Sequence, residues 1–202
     1  MKSFLKTFRL TVVFSIFLSV FYILVLWLFA AAAGPNHGKP EVITYKSKVV
    51  GVANEGQLFT SDRYFWGRPS YAGDGYDATK SGASNASVSN PAHLAEVQKR
   101  VSRFLVHHPY LTAKDIPTEM VTGSGSGLDP DITQQSAAIQ VKRVAKARGM
   151  REDDVDALVE KCTDGPFLGW FGPSKVNVLK LNVELDKIDS QYHSFRASTP
   201  ST

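Results

Sequence analysis

The glycine- and serine-rich run at residues 123–127 (GSGSG) is the first stretch whose residue types suggest chemistry. Backbone amides in such a run can point together and hold a phosphate or another anion. A P-loop also needs a lysine and a hydroxyl residue after its last glycine, and here Leu128-Asp129-Pro130 follows instead. We therefore interpret the run as a flexible turn that leads into a helix, with an anion-binding nest as the alternative.

Two pairs of aspartates could be taken for cation ligands. They are Asp129 with Asp131, and Asp74 with Asp77. Neither pair has the spacing of an EF-hand loop or its terminal glutamate, which supplies a bidentate carboxylate to calcium. We interpret all four aspartates as turn and helix-capping residues.

Histidine and cysteine offer few further possibilities for chemistry. His107 and His108 are adjacent near the end of a predicted helix, so their side chains point in different directions and are interpreted as a satisfied or solvated terminus. There is no His-Glu-x-x-His pattern and no second cluster of ligands. The single cysteine, Cys162, excludes an intramolecular disulfide and any Cys-x-x-Cys site. Because a Gly-x-Ser-x-Gly elbow is also missing, the residues indicate an accessory domain rather than an evident enzyme.

A run of basic residues could bind the phosphates of a nucleic acid or an anionic lipid surface. It comprises Lys142, Arg143, Lys146, Arg148 and Arg151, and an acidic stretch follows it. Three of the 23 Lys and Arg precede residue 10, where no acid lies, so the rest of the chain has 20 basic residues against 19 acidic ones. We interpret the basic run as a solvated helix face and expect no nucleic-acid partner.

Residues 10–33 form an uninterrupted stretch of 24 residues without a charged side chain. At about 1.5 Å per residue such a helix covers roughly 36 Å, enough to cross a hydrocarbon core of about 30 Å. A cleaved secretory signal is the alternative, because Lys2, Lys6 and Arg9 precede the stretch and small residues end it. Signal peptides have apolar regions of about 7 to 15 residues, so a retained transmembrane helix is favoured.

Charge on the two sides of this helix predicts its orientation. Basic residues without acids precede it, whereas Glu41 offsets Lys39 after it, and positive charge favours the cytosolic side. We therefore expect a single-pass protein of the cell inner membrane with an exported remainder. The predicted division is a cytosolic N-terminal tail at 1–9, the transmembrane helix at 10–33, a linker at 34–40, one soluble extracytoplasmic domain at 41–193 and a disordered tail at 194–202.

The first part of the soluble domain predicts strands and then a long loop. Residues 41–52 are rich in valine and isoleucine and indicate one or two strands. Residues 56–91 are rich in Gly, Ser, Asn and aromatic residues, and a connection of that length is usually functional or disordered. Its aromatic residues indicate that it is packed.

Helices are predicted after the long loop. Asn90 followed by Pro91 marks the start of the first helix, which Pro109 ends. A second helix is expected to be capped near Thr133 and to stop at Gly149.

A third helix begins near Arg151 and directs Cys162 inward as a small buried residue. Residues 176–188 fit both a helical stripe capped by Asn177 and a strand-like alternation, and we favour the helix because its stripe extends further. The predicted fold class is therefore α+β, with a single N-terminal transmembrane helix followed by one mixed α/β soluble domain.

Several longer motifs occur in order across most of the soluble part. They are Gly56-Gln57, Tyr64-Phe65, Gly67-Arg68-Pro69-Ser70, Ser81-Gly82-Ala83-Ser84-Asn85, Ser89-Asn90-Pro91, Val121-Thr122, Ser124-Gly125-Ser126-Gly127-Leu128-Asp129-Pro130, Gln140, Arg143-Val144-Ala145, Ala147-Arg148-Gly149, Val176-Asn177-Val178-Leu179, Leu181-Asn182 and Leu185-Asp186. By these motifs the chain resembles the C subunit of the Kdp-type potassium-transporting P-type ATPase. It departs from that family within the apolar span, where a Tyr-Pro-Leu element is common, and in the approach to Gly56.

The resemblance implies a non-catalytic subunit of a high-affinity, ATP-driven potassium uptake complex. Its partners would be a channel-like potassium-translocating subunit, an ATP-hydrolysing P-type subunit, a small stabilising peptide and membrane lipid. No covalently bound cofactor is implied, because ATP and potassium act at the level of the complex.

Two roles are implied for such a subunit. It would act as a catalytic chaperone that raises the ATP affinity of the hydrolysing subunit, or it would assist assembly and potassium entry. Since an exported domain cannot touch cytosolic ATP, an effect on nucleotide affinity has to be relayed through the membrane subunits. We therefore favour the role in assembly and potassium entry.

The resemblance also places candidate partner-binding residues in the loops. They are Gln57, Tyr64, Phe65, Gly67, Arg68, Pro69, Ser84, Asn85, Asn90, Gly125, Gly127, Asp129, Gln140 and Arg143. Arg68 could pair with a carboxylate or carbonyl of a partner, or Arg68 and Asn85 could only brace the long loop internally. The alternative classes of protein are an exported soluble enzyme or binding protein released by signal cleavage, and an anchored binder of nucleic acid or anionic lipid.

Overall fold

The computed structural model describes residues 2–198, which divide between Glu41 and Val42 into two units. The first unit is an apolar helix with a short turn after it, and the second is a mixed domain of helices and two small sheets. This is the predicted α+β class.

The N-terminal unit is one long helical rod. Helix α1 (Lys2–Ile16) continues through a π-helical segment (Phe17–Tyr22) into helix α2 (Ile23–Ala33). Among the described residues it is the one helix long and apolar enough to cross a membrane, and none of its most apolar window is buried. The helix begins at Lys2, so the predicted tail at 1–9 is helical from its second residue. The predicted linker contains a 3₁₀ turn, Pro35–Gly38.

The second unit starts with a β-hairpin. Strand β1 (Val42–Tyr45) pairs antiparallel with strand β2 (Lys48–Val52). The two residues between them, Lys46 and Ser47, have φ of 48° and 63°, the left-handed conformations that a two-residue type I′ turn requires. The strands predicted for residues 41–52 are confirmed as this hairpin.

A second sheet is built from three strands of two or three residues. They are β3 (Asp131–Ile132), β4 (Thr163–Asp164) and β5 (Lys175–Asn177), with β5 in the middle and both pairings antiparallel. These strands were not expected from the sequence, because two or three residues are too few to show a period of two.

The helix signals of the sequence are largely confirmed. Helix α3 (Pro91–His107) starts at Asn90, whose Oδ1 accepts hydrogen bonds from the backbone amides of Ala92 and His93. The helix predicted from Thr133 to Gly149 is instead two helices, α4 (Gln134–Ala138) and α5 (Val141–Arg148). Thr133 caps the first, and Gly149, with φ of 67°, ends the second in the left-handed conformation.

The last two helices complete the domain. Helix α6 (Glu152–Lys161) follows Arg151 as predicted, but Cys162 beyond it is only half-buried, and burial raises the pKa of its thiol. Helix α7 (Val178–Ser198) confirms the helix favoured for residues 176–188, and the Oδ1 of Asn177 accepts from the amide of Lys180. Helix α7 passes the predicted domain end at 193, and residues 199–202 of the predicted tail lie outside the described residues.

The core lies between helices α3 to α7. Its fully buried members include Phe65, Ile132, Val144, Val155, Leu181 and Leu185. Phe65 comes from the long loop, which is therefore anchored in the core rather than lying on the surface.

Candidate functional site

The long connection between β2 and α3 carries most of the candidate residues. Residues 53–90 are all described, and none of them lies in a helix or strand. Its backbone polar groups therefore need other partners wherever the loop is buried. Those partners are side chains from α5, α7 and the break between α4 and α5.

Two buried side-chain amides bind neighbouring residues of this loop. The Oε1 of Gln140 accepts from the backbone N–H of Trp66 at 2.8 Å, and its Nε2 donates to the carbonyl of Trp66 at 3.2 Å. Asn182 makes the same pair of bonds to Phe65, at 2.8 and 3.0 Å. Each amide replaces the neighbouring strand that would satisfy these groups in a sheet, so together they fix the conformation of the loop.

Arg143 is a third clamp on the loop. Its guanidinium donates to the carbonyl of Asp62 at 2.7 Å, to the carbonyl of Tyr64 at 3.0 Å and to Oε1 of Gln140 at 2.8 Å. It also stacks over the ring of Trp66, with its carbon 4.2 Å from the ring centroid. Burial lowers the pKa of Arg143 to about 10, which leaves the group charged at neutral pH.

The basic run 142–151 is therefore not one solvated face. Arg143 and Arg148 are 5% and 3% exposed, whereas Lys142 and Lys146 are exposed. Helix α5 directs its two arginines inward, where three loop carbonyls and two carboxylates of α7 accept hydrogen bonds from the fixed donors of the guanidinium groups. The interpretation as a solvated face was wrong for both arginines.

His108 accepts a hydrogen bond from Arg143 and so helps to position it. Its ring is fully buried, and its Nδ1 lies 2.8 Å from the carbonyl of Phe104. That contact assigns the proton to Nδ1, so Nε2 is free to accept from Nε of Arg143 at 2.9 Å. Burial, with the positive charge of Arg143, lowers the pKa of His108 to about 4. Both ring nitrogens of His108 therefore have hydrogen-bond partners, which confirms the interpretation as a satisfied rather than a solvated helix terminus.

A second arginine cluster joins the loop to α7. Arg148 pairs with Asp186 at 2.8 Å and Asp189 at 2.9 Å, and its Nε donates to the carbonyl of Arg63 at 2.6 Å. The hydroxyl of Tyr64 donates to Asp186 at 3.2 Å, and burial followed by the charge of Asp186 raises the pKa of Tyr64. The motif Leu185-Asp186 was visible in the sequence, but its partner across the fold was not.

The GSGSG run packs against the middle of the long loop. Arg68 pairs with Asp129 at 2.8 Å and donates to the carbonyl of Gly123 at 3.3 Å, while Ser70 donates to the carbonyl of Gly127 at 2.6 Å. The amide of Gly127 donates to the hydroxyl of Ser124 within the run. The run is a turn, as interpreted, but it is held by hydrogen bonds rather than flexible, and strand β3 separates it from the next helix. Arg68 is a brace of the kind proposed as the internal alternative.

Tyr76 also belongs to this second contact region, between the long loop and the GSGSG run. Its hydroxyl donates to the carbonyl of Arg68 at 2.5 Å. Burial and the negative charge of Asp129 raise the pKa of Tyr76 to about 12, so the phenol stays a donor. The side chain of Gln57, nearer the start of the loop, donates to the carbonyl of Val50 in β2 at 3.1 Å.

The candidate residues fall into a clamped set and an exposed set. The clamped set comprises Gln57, Tyr64, Phe65, Gly67, Arg68, Pro69, Gly127, Asp129, Gln140 and Arg143, all buried or half-buried. The exposed set comprises Ser84, Asn85, Asn90 and Gly125. The structure thus joins most of the candidates into two contact regions, one around Gln140 and Arg143 and one around Arg68 and Asp129, and leaves the 84–90 segment facing outward. Asn182 and Arg148 also bind the loop, and His108 binds Arg143, although sequence reasoning did not select these three as site residues.

An open cleft of about 260 Å³ lies beside the clamped loop. Three arginines line it, Arg68, Arg100 and Arg103, together with Asp74. Arg100 is already engaged by Glu96 at 2.5 Å and lies over the ring of Tyr71. Among the described residues no group of three His, Cys, Asp or Glu could hold a metal ion.

Comparison with known proteins gives the same family along most of the chain. A family model described as K⁺-transporting ATPase, c chain (KdpC), matches residues 4–187. A potassium-transporting ATPase KdpC subunit of Bacteroides fragilis is 61% identical over 191 residues, covering 95% of this chain and 100% of that protein. Proteins with the same name from Phocaeicola vulgatus and Flavobacterium psychrophilum are 63% and 48% identical, and each covers 93% of this chain. Those alignments take in 99% and 100% of the two relatives.

Proposed function

The chain belongs to the KdpC family, the c chain of K⁺-transporting ATPases, and on this premise we propose that it is a non-catalytic subunit of a high-affinity, ATP-driven potassium uptake complex. Its partners are a channel-like potassium-translocating subunit, an ATP-hydrolysing P-type subunit and a small stabilising peptide. ATP and potassium bind elsewhere in that complex.

The N-terminal helix supports an anchored location. It is apolar enough to span a bilayer, and basic residues without acids lie at its start. By the positive-inside rule the N-terminus is cytosolic and the domain from Val42 onward is extracytoplasmic in the cell inner membrane. The chain is retained rather than cleaved in this proposal, and the helix holds the domain beside the membrane subunits.

The clamped loop is the observation that carries the proposed role in assembly and potassium entry. Gln140, Asn182 and Arg143 fix its backbone at residues 62–66. The carbonyl of Ser126 accepts from the amide of Gly82 at 2.8 Å and from the hydroxyl of Ser81 at 3.0 Å, which holds the chain just before the outward Ser84 and Asn85. A preformed loop loses less conformational entropy on binding than a mobile one. Such a surface is suited to a permanent contact with a channel-like partner.

An effect on ATP affinity would be indirect, through the membrane subunits. A domain on the extracytoplasmic side has no access to cytosolic ATP, so it raises the ATP affinity of the hydrolysing subunit only by favouring one conformation of the membrane subunits. In this form the chaperone description and the assembly role are two consequences of the same contact.

Affinity purification of the tagged full chain from detergent-solubilised membranes tests the proposal. We expect the potassium-translocating and ATP-hydrolysing subunits to co-purify and the eluate to show potassium-stimulated ATP hydrolysis. A chain that purifies alone, or whose mature mass lacks about 33 residues, supports the released-protein alternative and contradicts the proposal.

A surface variant sharpens this test. Ser84→Arg adds a large charged side chain to the outward segment, and Ser190→Arg adds the same side chain to an exposed position of α7. We expect Ser84→Arg to reduce co-purification of the partner subunits without changing thermal unfolding, and Ser190→Arg to change neither. If both variants co-purify the partner subunits equally well, the outward segment is not part of the contact with them.

A further inference from the structure

The loop at residues 166–173 is a small hairpin that stands out from the domain. Phe167 and Phe171 exchange two backbone hydrogen bonds, of 2.8 and 2.9 Å. Between them Leu168 and Gly169 have φ of 54° and 78°. The shape of the loop is therefore set by its own backbone and not by side chains packed against the core.

The side chains of this hairpin are directed into solvent. Phe167, Leu168, Trp170 and Phe171 are 72%, 73%, 90% and 67% exposed. No charged residue lies between Asp164 and Lys175. Four large apolar side chains on consecutive or near-consecutive positions form an exposed patch of the kind that marks an interaction site in a soluble domain.

We propose that this hairpin inserts its four apolar side chains into the headgroup region of the bilayer that the N-terminal helix crosses, as a second membrane contact of the chain. The residue types fit this occupant, since tryptophan is enriched where bilayer and water meet. Trp, Phe and Leu also form the buried apolar face of segments that lie in that interface. The proposal rests on the retained membrane helix and not on the potassium complex.

The backbone of the hairpin suits a lipid environment. Carbonyl and amide groups that enter the acyl boundary are costly unless they are paired internally. Here the amides of Phe167, Gly169, Trp170 and Phe171 all donate to carbonyls within residues 166–171. The pairing of these four amides lowers the cost of moving the tip into the headgroup region.

The short linker after helix α2 keeps the domain that carries the hairpin near the lipid. Eight residues, 34–41, separate the end of helix α2 from the start of β1. Even a fully extended segment of that length spans only about 30 Å. The domain therefore begins within that distance of the membrane, and the hairpin has a lipid surface available at high effective concentration.

Site-specific fluorescence in nanodiscs tests the proposal. The full chain with Cys162→Ser receives a single new cysteine by Leu168→Cys in the hairpin or, as the matched control, by Val88→Cys, whose native side chain is 87% exposed. Each protein is labelled with an environment-sensitive dye and placed in phosphatidylcholine nanodiscs. Lipids carrying a spin label near the headgroup end of the acyl chain serve as the quencher.

We expect dye at position 168 to be quenched roughly twofold by the spin-labelled lipid and dye at position 88 to be unaffected. Equal, weak quenching at both positions overturns the proposal. A blue shift at position 168 without quenching by lipid also overturns it, because the hairpin is then covered by protein, either a partner subunit or a second copy of the chain. Matching thermal unfolding of the two labelled proteins shows that neither substitution has altered the fold.

Discussion

The side-chain amide of Gln140 and the backbone of Trp66 form a two-point hydrogen-bonded pair, 74 residues apart in sequence. Gln140 lies where α4 and α5 separate, so the break between these helices is what lets its side chain reach the loop. Gln140 also accepts from Arg143, which places one amide at the centre of the clamp. The long loop is thus a fixed part of the domain rather than a flexible connection.

Replacing Gln140 with leucine is expected to release the loop. The change leaves the N–H and carbonyl of Trp66 without their partners, and a buried unpaired group costs about 1 to 3 kcal/mol. We expect a loss of about 2 to 4 kcal/mol in the free energy of unfolding and faster cleavage within residues 56–90 in limited proteolysis. Gln135→Leu, at an exposed position of α4, is the control and is expected to change neither. Similar behaviour of the two variants contradicts the clamp.

Arg143→Lys tests whether the fork of the guanidinium matters or only its charge. Lysine carries the charge but cannot donate at once to Asp62, Tyr64 and His108 in the geometry that arginine provides. We expect the free energy of unfolding to fall by on the order of 3 kcal/mol, measured by thermal unfolding of the full chain in detergent. The reverse exchange at the exposed neighbour, Lys142→Arg, is expected to be nearly neutral. A neutral Arg143→Lys shows that charge alone suffices.

The pKa of His108 predicts a loss of stability in acid. Burial lowers its pKa from the ordinary histidine value of 6.5, which the unfolded chain is expected to keep, to about 4 in the folded chain. Above pH 6.5 both states are neutral at this ring, whereas between 6.5 and 4 only the unfolded state takes up the proton. The free energy of unfolding therefore falls by up to roughly 3 kcal/mol across that window from this group.

Denaturant titrations at several pH values measure this effect. The His108→Gln variant is expected to be less stable at neutral pH but to lose less stability between pH 6.5 and 4 than the wild type. His93→Gln, near the first turn of α3, removes a histidine outside the clamp and is the control. Parallel slopes for the wild type and His108→Gln show that His108 does not cause the loss.

Two glycines of the GSGSG run provide a matched pair for the loop contact. A Cβ at Gly127 would lie 2.7 Å from the amide nitrogen of Ala72, and the residue has φ of 71°. A Cβ at Gly125 would meet nothing within 4 Å. We expect Gly127→Ala to destabilise the domain by roughly 2 kcal/mol or more and Gly125→Ala to be within about 0.5 kcal/mol of the wild type in thermal unfolding. Equal effects show that the contact with Ala72 relaxes easily.

Features with local causes were predictable from the sequence. Asn90 followed by Pro91, Thr133 before α4 and Gly149 after α5 act on backbone groups within a few residues, so their side-chain types identified the helix ends. The same holds for the composition that predicted the hairpin and the apolar rod. The resemblance to a family added which loops to examine, because its motifs cluster there.

Features with distant causes were not predictable in this way. Asn182 and Phe65 are 117 residues apart, and the motif Leu181-Asn182 does not indicate which residue Asn182 binds. Arg143 and Arg148 read as part of a charged surface until α7 and the loop are placed against α5. Strand β5 is three residues long and takes its conformation from the neighbours it pairs with.

Sidedness of the domain is the central claim, and a reporter fused after residue 202 tests it most directly. Alkaline phosphatase, which is active only after export, is joined to the C-terminus of the full chain, and a fusion after residue 9 serves as the cytosolic control. We expect high phosphatase activity from the first fusion and little from the second. Activity confined to a cytosolic reporter at the C-terminus would place the domain on the ATP side and contradict the proposed role at the potassium entrance.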